Sequence, residues 1–271
     1  MGMNGGMVDA HVGSTLEFQV REPAEVQLMI AVCPRPGVTV QESLDVRLDG
    51  EPVEVTPVAG GHHVRAGTGL LRVDYTAAVT VRRGPPQRLE LAQRITATRP
   101  SRYCPSDRLA GFAAREFQRF APSNSATVAG IVDYVRRHTR YEAGASTGTT
   151  DAAETLLSGA GVCRDFAHLV VALARSVGIP ARTAAVYAPG LSPMDFHAVA
   201  EVAVDGEWRV VDATGLAPRQ SMIRIATGAD AAQTAFAGVL TGVADLTCMQ
   251  VRAVTAGDLP VDDGHGVVHL P

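Results

Sequence analysis

No apolar run in these 271 residues approaches the roughly 20 needed to cross a bilayer; the longest, such as LVVALA at 169–174, stops far short. The opening stretch MGMNGGMVDAHVG has no basic cluster ahead of an apolar segment, its first arginine being Arg21, so it does not read as a secretory leader. The expected compartment is the cytosol. No C-x-x-C pair joins the four cysteines, Cys33, Cys104, Cys163 and Cys248. That spacing fits neither a zinc ribbon nor a disulfide framework, and each is expected to be a free thiol. A net charge of −4 with scattered arginines offers nothing to nucleic acid or an anionic membrane, so neither is an expected partner. The glycines of GTGLLRV precede neither a helix nor a lysine, which excludes a phosphate loop. No acidic loop of the calcium-binding kind occurs, and His62, His63, His265 and His269 match no metal spacing. No metal or cofactor is expected, and the substrate should be a small molecule or a protein.

What is present is an ordinary globular composition, 46% hydrophobic and 19% charged. Up to about residue 98, short alternating runs such as TLEFQV, SLDVRLDGEPVEV and LLRVDYTAAVTV are broken by Gly and Pro. Asp49-Gly50 between two of them signals a hairpin. The reading is an antiparallel β-sandwich domain over 1–98, with RRGPPQRLE at 82–90 as a connection and a boundary near 98–107. Residues 99–271 form a second domain. Three helices are predicted in SDRLAGFAAREFQRF, SNSATVAGIVDYVRRHTRY and DAAETLLSG, the last with its own Asp cap and Gly stop. A fourth, in AGVCRDFAHLVVALARSVGIPAR, has Phe166, Leu169, Val170, Leu173 and Val177 on its apolar side. Strands follow in ARTAAVYA, FHAVAEVAV, EWRVVDAT and LTCMQVRAV, with a helical stretch at about 216–240 before the last. The fold class is α+β.

Cys163 stands in the first turn of that fourth helix. A helix N-terminus leaves N–H donors unpaired and carries partial positive charge, which favours a thiolate there and can hold an oxyanion forming beside the sulfur. Cysteine also serves as a small buried hydrophobe, so position alone makes no catalyst. A base is required. If Asp205-Gly206 is a two-residue turn, Val204 faces Glu207, Val199 faces Asp212, and His197 faces Thr214. His197 and Asp212 then share a face as diagonal neighbours. With the Cys163 helix packed across that face, Cys163, His197 and Asp212 would supply nucleophile, base and orienting acid. Singly, a strand histidine or an aspartate before a turn is commonly structural; here three weak signals agree in geometry. Asp165, one turn below His168, reads as a helix-stabilising neighbour or as a residue that orders the site.

GVCRDFAHLVVALARSVGIPAR and DFHAVAEVAVDGEWRVVDATG resemble the core motifs of the bacterial transglutaminase-like superfamily, papain-like thiol enzymes often described as cysteine proteases. SRYCPSDRL is similar to the segment that introduces this domain in bacterial members. The resemblance covers about 100–220 and implies a papain-like core, helices packed on an antiparallel sheet, with Cys163, His197 and Asp212 as a catalytic triad. Two positions depart from the pattern: Ala198 stands where an aromatic commonly follows the His, and Ala213 where a Pro follows the Asp. The expected activity is thiol-dependent acyl transfer through a thioester, on a protein, peptide or small amide, with hydrolysis favoured. An amine-accepting transglutaminase with the same triad and a non-catalytic binding module of this fold remain the alternatives.

Overall fold

The computed structural model describes residues 7–82 and 84–271. The leader reading rests partly on residues 1–6 and the connection at 82–90 includes Arg83; these lie outside the described residues. In chain order the elements are β1 (Met7–Leu28), β2 (Val38–Leu48), β3 (Glu51–Pro52), β4 (Val55–Val58), β5 (Gly61–Ala66) and β6 (Gly69–Arg82), then α1 (Leu91–Thr96), α2 (Ser106–Phe117) and α3 (Asn124–His138). After these come β7 (Arg140–Tyr141), α4 (Ala152–Ser158), β8 (Ala160–Gly161), α5 (Cys163–Ser176), β9 (Ala181–Tyr187), β10 (Phe196–Val204), β11 (Glu207–Val211), β12 (Ile223–Gly228) and β13 (Ala237–Thr255).

The β-rich region expected ahead of the core is one seven-stranded antiparallel sheet, ordered β3-β2-β6-β1-β5-β4, with β13 on the other side of β1. Strict alternation builds it. Along β6, Leu71, Val73, Tyr75, Ala77, Val79 and Val81 are buried while the residues between them are more exposed. Asp49 and Gly50 both take positive φ, 51° and 90°, and join Leu48 to Glu51 in a two-residue hairpin as read from the sequence.

A four-stranded antiparallel sheet, β11-β10-β9-β12, forms the second half. Helix α5 is buried nearly all round and packs against α2, α3 and α4 and against Ala200, Val202 and Val204 of β10. Leu169 and Leu173 are fully buried there, each worth about 1.5–3 kcal/mol of transfer free energy. The opposite face carries Ala184, Val186, Val199 and Val210, covered by Val268 and Leu270 near the end of the chain. Tyr187, Ile223 and Ile225 continue into the core of the seven-stranded sheet. No described helix is long and apolar enough to cross a membrane.

Three elements differ from expectation. A short helix, α1, lies within the segment read as strands and connection. The stretch 216–240 holds no α-helix, only a 3-10 turn at Arg219–Ser221, and then β12, because β-branched Ile223 and Thr227 pair along the edge of β9 and tertiary pairing outweighs a weak local preference. Strand β13, expected in the second sheet, instead runs antiparallel to β1, so residues 237–255 complete the sheet begun by the first eighty.

Candidate active site

The turn at Asp205-Gly206 forms as anticipated. Both residues take positive φ, 56° and 78°, and Val204 pairs with Glu207 and Ala200 with Val211. The ladder ends at Val211, so Asp212 stands one residue beyond it, in the register that sets it diagonal to His197. The two side chains meet: His197 Nε2 lies 2.9 Å from Asp212 Oδ2, with both residues buried. Thr214, expected opposite His197, has left the strand. It donates its backbone N–H and its hydroxyl to Asp212 Oδ1 at 2.8 and 2.7 Å. The carboxylate is thus aimed by Thr214 at one end and by the imidazole at the other. Arg136 donates to the carbonyls of Asp212 and Ala213, holding the backbone turn where a proline would otherwise stiffen it.

Helix α5 does not cover the face that carries His197. Its partners on β10 are the alternate residues Ala200, Val202 and Val204, whereas His197 shares its side with Val199 and with Val186 across the ladder. Cys163 still reaches the ring because it is the first residue of α5 and sits at the open end of the helix, not on its packed side. Burial works against a charge on His197. The hydrogen bond to Asp212 and then the interaction with Cys163 overcome it and push the imidazole up to about 10. Asp212 is held low by His197 and Thr214 against its burial. The remaining ring nitrogen, Nδ1, is buried without a hydrogen bond, leaving it for the sulfur.

The turn before Cys163 is built by Asp165. Fully buried, it accepts the Val162 N–H at 2.8 Å, the Ser146 hydroxyl, and two contacts from Arg164 at 2.9 and 3.2 Å. Gly161 is required there, since a Cβ would stand 2.7 Å from that of Asp165. Asp165 therefore caps the helix and orders the site at once. His168 takes no part. It stacks on Tyr103, accepts the Ala231 N–H at 3.0 Å, and burial pushes it down to about 4.

Tyr141 was not singled out in the sequence. Strand β7 runs parallel to β8 and pairs Tyr141 with Gly161, two residues before Cys163. The phenol interacts with both the backbone N–H and the thiol of Cys163, and burial, followed by the nearby sulfur, pushes it up to about 12. Its ring tilts against Phe166, and the residue as a whole is 49% exposed. No local pattern marks this residue, because a two-residue parallel bridge exists only in the folded chain.

All four cysteines are free, and burial raises Cys104 to about 12, the mark of an inert thiol. Among the described residues no three His, Cys, Asp or Glu side chains converge as a metal would require. His63 pairs with Glu25 at 3.4 Å and His269 donates to the Trp208 carbonyl at 2.7 Å. A cavity of about 410 Å³ lies against Asp212, Thr214 and Leu216, but its lining includes neither Cys163 nor His197. Of the two departures from the family pattern, Ala213 is buried in the helix-side core, and Ala198 is partly exposed beside His197.

Residues 111–213 match the transglutaminase-like superfamily. A solved structure, "Putative Cysteine Protease from Cytophaga hutchinsonii", is 31% identical and superimposes with a TM-score of 0.85 over 94% of this chain and 93% of that one. The periplasmic domain of TgpA from Pseudomonas aeruginosa, bound to ethylmercury, is 18% identical, with a TM-score of 0.43 over 76% of this chain and 90% of that one. No curated protein gives a significant match. The chain belongs to the transglutaminase-like superfamily. Family and neighbour together support an enzyme of this superfamily.

Proposed function

We propose that the protein is a thiol-dependent acyl-transfer enzyme that hydrolyses an amide or peptide bond through a thioester on Cys163. One observation carries the reading: His197 is clamped at Nε2 by Asp212 while Nδ1, unpartnered and buried, is left to the Cys163 sulfur. An imidazole held in one tautomer and biased toward its charged form is what a cysteine nucleophile needs beside it.

In this mechanism Cys163 Sγ attacks the acyl carbon and His197 holds the thiol proton. The oxyanion accepts hydrogen bonds from the Cys163 backbone N–H and from the Tyr141 hydroxyl, which stands beside that N–H. His197 passes its proton to the leaving amine, the C–N bond breaks, and a thioester remains. Water, deprotonated by His197, releases the acid and regenerates the thiol. An amine in place of water would make the same machinery a transglutaminase. We further propose that it acts in the cytosol.

The test is trapping. Wild-type protein incubated with cell lysate should yield an acyl adduct on Cys163 by mass spectrometry, and Cys163→Ala should yield none. Free acid as product supports hydrolysis; a new amide linkage supports transamidation. No adduct from any lysate, together with equal slow alkylation of all four cysteines, would leave a non-catalytic binding module.

A further inference from the structure

Natural sheets blunt their edges, because a row of unpaired N–H and C=O groups is a template for another strand. Most edges in this protein follow that rule. Strand β3 has two residues and ends in Pro52; β4 has four and contains Pro57. In the second sheet, β11 is covered by Gln87–Leu89 and by Val268, and the backbone of Cys33 pairs with Arg224 of β12. Two strands depart from it: β2, whose outer side pairs with β3 only at Arg47 and Leu48 but which carries the charges Glu42, Asp45 and Arg47, and, over a greater length, β13. It runs for 19 residues, roughly 60 Å at about 3.3 Å per residue, and pairs only with β1 among the described residues. It has no proline and just two charges, Arg252 and Asp245, the second of which makes an exposed ion pair with Arg21 of its own chain at 2.6 Å that a second copy's Arg252 would share or replace. Six of its large apolar residues, Val239, Leu240, Val243, Leu246, Met249 and Val254, are 37–55% exposed.

Its sequence is complementary to itself. Laid antiparallel on a second β13 with Asp245 opposite Arg252, it also sets Val243 opposite Val254, Ala244 opposite Ala253 and Leu246 opposite Val251. Directly opposite residues must share a sheet face. They do so here only because of a bulge: the register against β1 slips at Thr247, between the Leu246–Phe18 and Cys248–Glu17 pairs. Asp245 and Arg252 consequently face Gln19 and Gly13, on one side of β1, while Leu246 and Val251 face Phe18 and Ser14, on the other. Without the extra residue the two charges would point to opposite faces.

We propose that β13 is a self-pairing edge, through which two copies of this chain join about a twofold axis near residues 248 and 249 into one continuous sheet. The paired flanks are 243–246 and 251–254, and each copy contributes one Asp245–Arg252 contact. Such an interface is isologous and closes on itself, so it yields a dimer and not a filament.

Sedimentation velocity between about 1 and 100 µM is the direct test, with circular dichroism melting as the check on folding. A dimer is expected for the wild type. Asp245→Arg and Arg252→Asp should each weaken it at least about tenfold, since like charges then face each other twice. The double variant Asp245→Arg/Arg252→Asp should restore it, and Leu246→Lys should give a folded monomer. A wild-type monomer throughout the range overturns the proposal, as does a dimer indifferent to these changes or a double variant as weak as the singles.

Discussion

Strand β10 carries two buried charged groups four residues apart on one face, and their partners differ in kind. Glu201 is saturated. Arg224 grips both its oxygens at 2.6 and 2.7 Å, Arg182 adds a bond at 2.8 Å while stacking on Trp208, and the three pull the carboxyl down to about 2 despite complete burial. His197 is equally buried and equally well paired at Nε2, but its Nδ1 is left without a bond. The group that acts on the ring besides Asp212 is the Cys163 thiol. The difference separates a network that holds the sheet together from a group kept open for chemistry.

The contrast is broken most sharply by removing each centre in turn. His197→Ala should reduce iodoacetamide labelling of Cys163, and turnover once a substrate is known, by about 10²–10⁴, and should also lower the melting temperature, because the buried Asp212 carboxylate loses its ion-pair partner. Glu201→Gln should separate the two effects: labelling persists, while denaturant unfolding shows a loss of about 3–5 kcal/mol because two arginines are left uncompensated in the interior. If both variants lose labelling and stability together, the two centres are one structural unit.

A smaller effect is expected at the proposed oxyanion donor. Tyr141→Phe should lower turnover about 10²-fold while leaving the labelling rate within about threefold, since iodoacetamide alkylation develops no oxyanion. Equal losses in both assays would assign Tyr141 to orienting the thiol. The effect of Asp212→Asn is read as a shift with pH. His197 is raised to about 10, so its proton, and the reactivity that depends on it, are retained through neutral pH and lost as pH rises through about 10. Replacing the carboxylate removes the largest force raising the ring, so the alkaline limb of the pH–rate profile should move down toward the ordinary value of about 6.5. The same group contributes stability below its unfolded value, which fades as pH rises through the folded one. A profile unmoved by Asp212→Asn would remove Asp212 from the site.

Much was legible before the structure. Helices α3, α4 and α5 announced themselves through caps, Gly stops and apolar spacing. The Asp205-Gly206 turn placed His197 and Asp212 on one face by counting, because a two-residue turn permits a single register. The misreadings share a cause. Local pattern reads β12 as helix because its pairing partner is remote, and sets β13 in the nearer sheet because nothing local names β1 as its neighbour. The face covered by α5 was also misjudged: Ala200, Val202 and Val204, not the residues beside His197, complement its apolar side.

Residue order alone determined which atoms this protein has for chemistry: a thiol at a helix start, and an imidazole and carboxylate held in fixed register by a tight turn. These depend on interactions within a few residues or across one hairpin, where the choices are few. Tertiary structure alone decided that the helix meets the histidine by its end and not its side, that Tyr141 stands beside Cys163, and that β13 is left with an open edge. Each of those depends on contacts between segments far apart in the chain, chosen by packing of the whole and recorded in no local pattern.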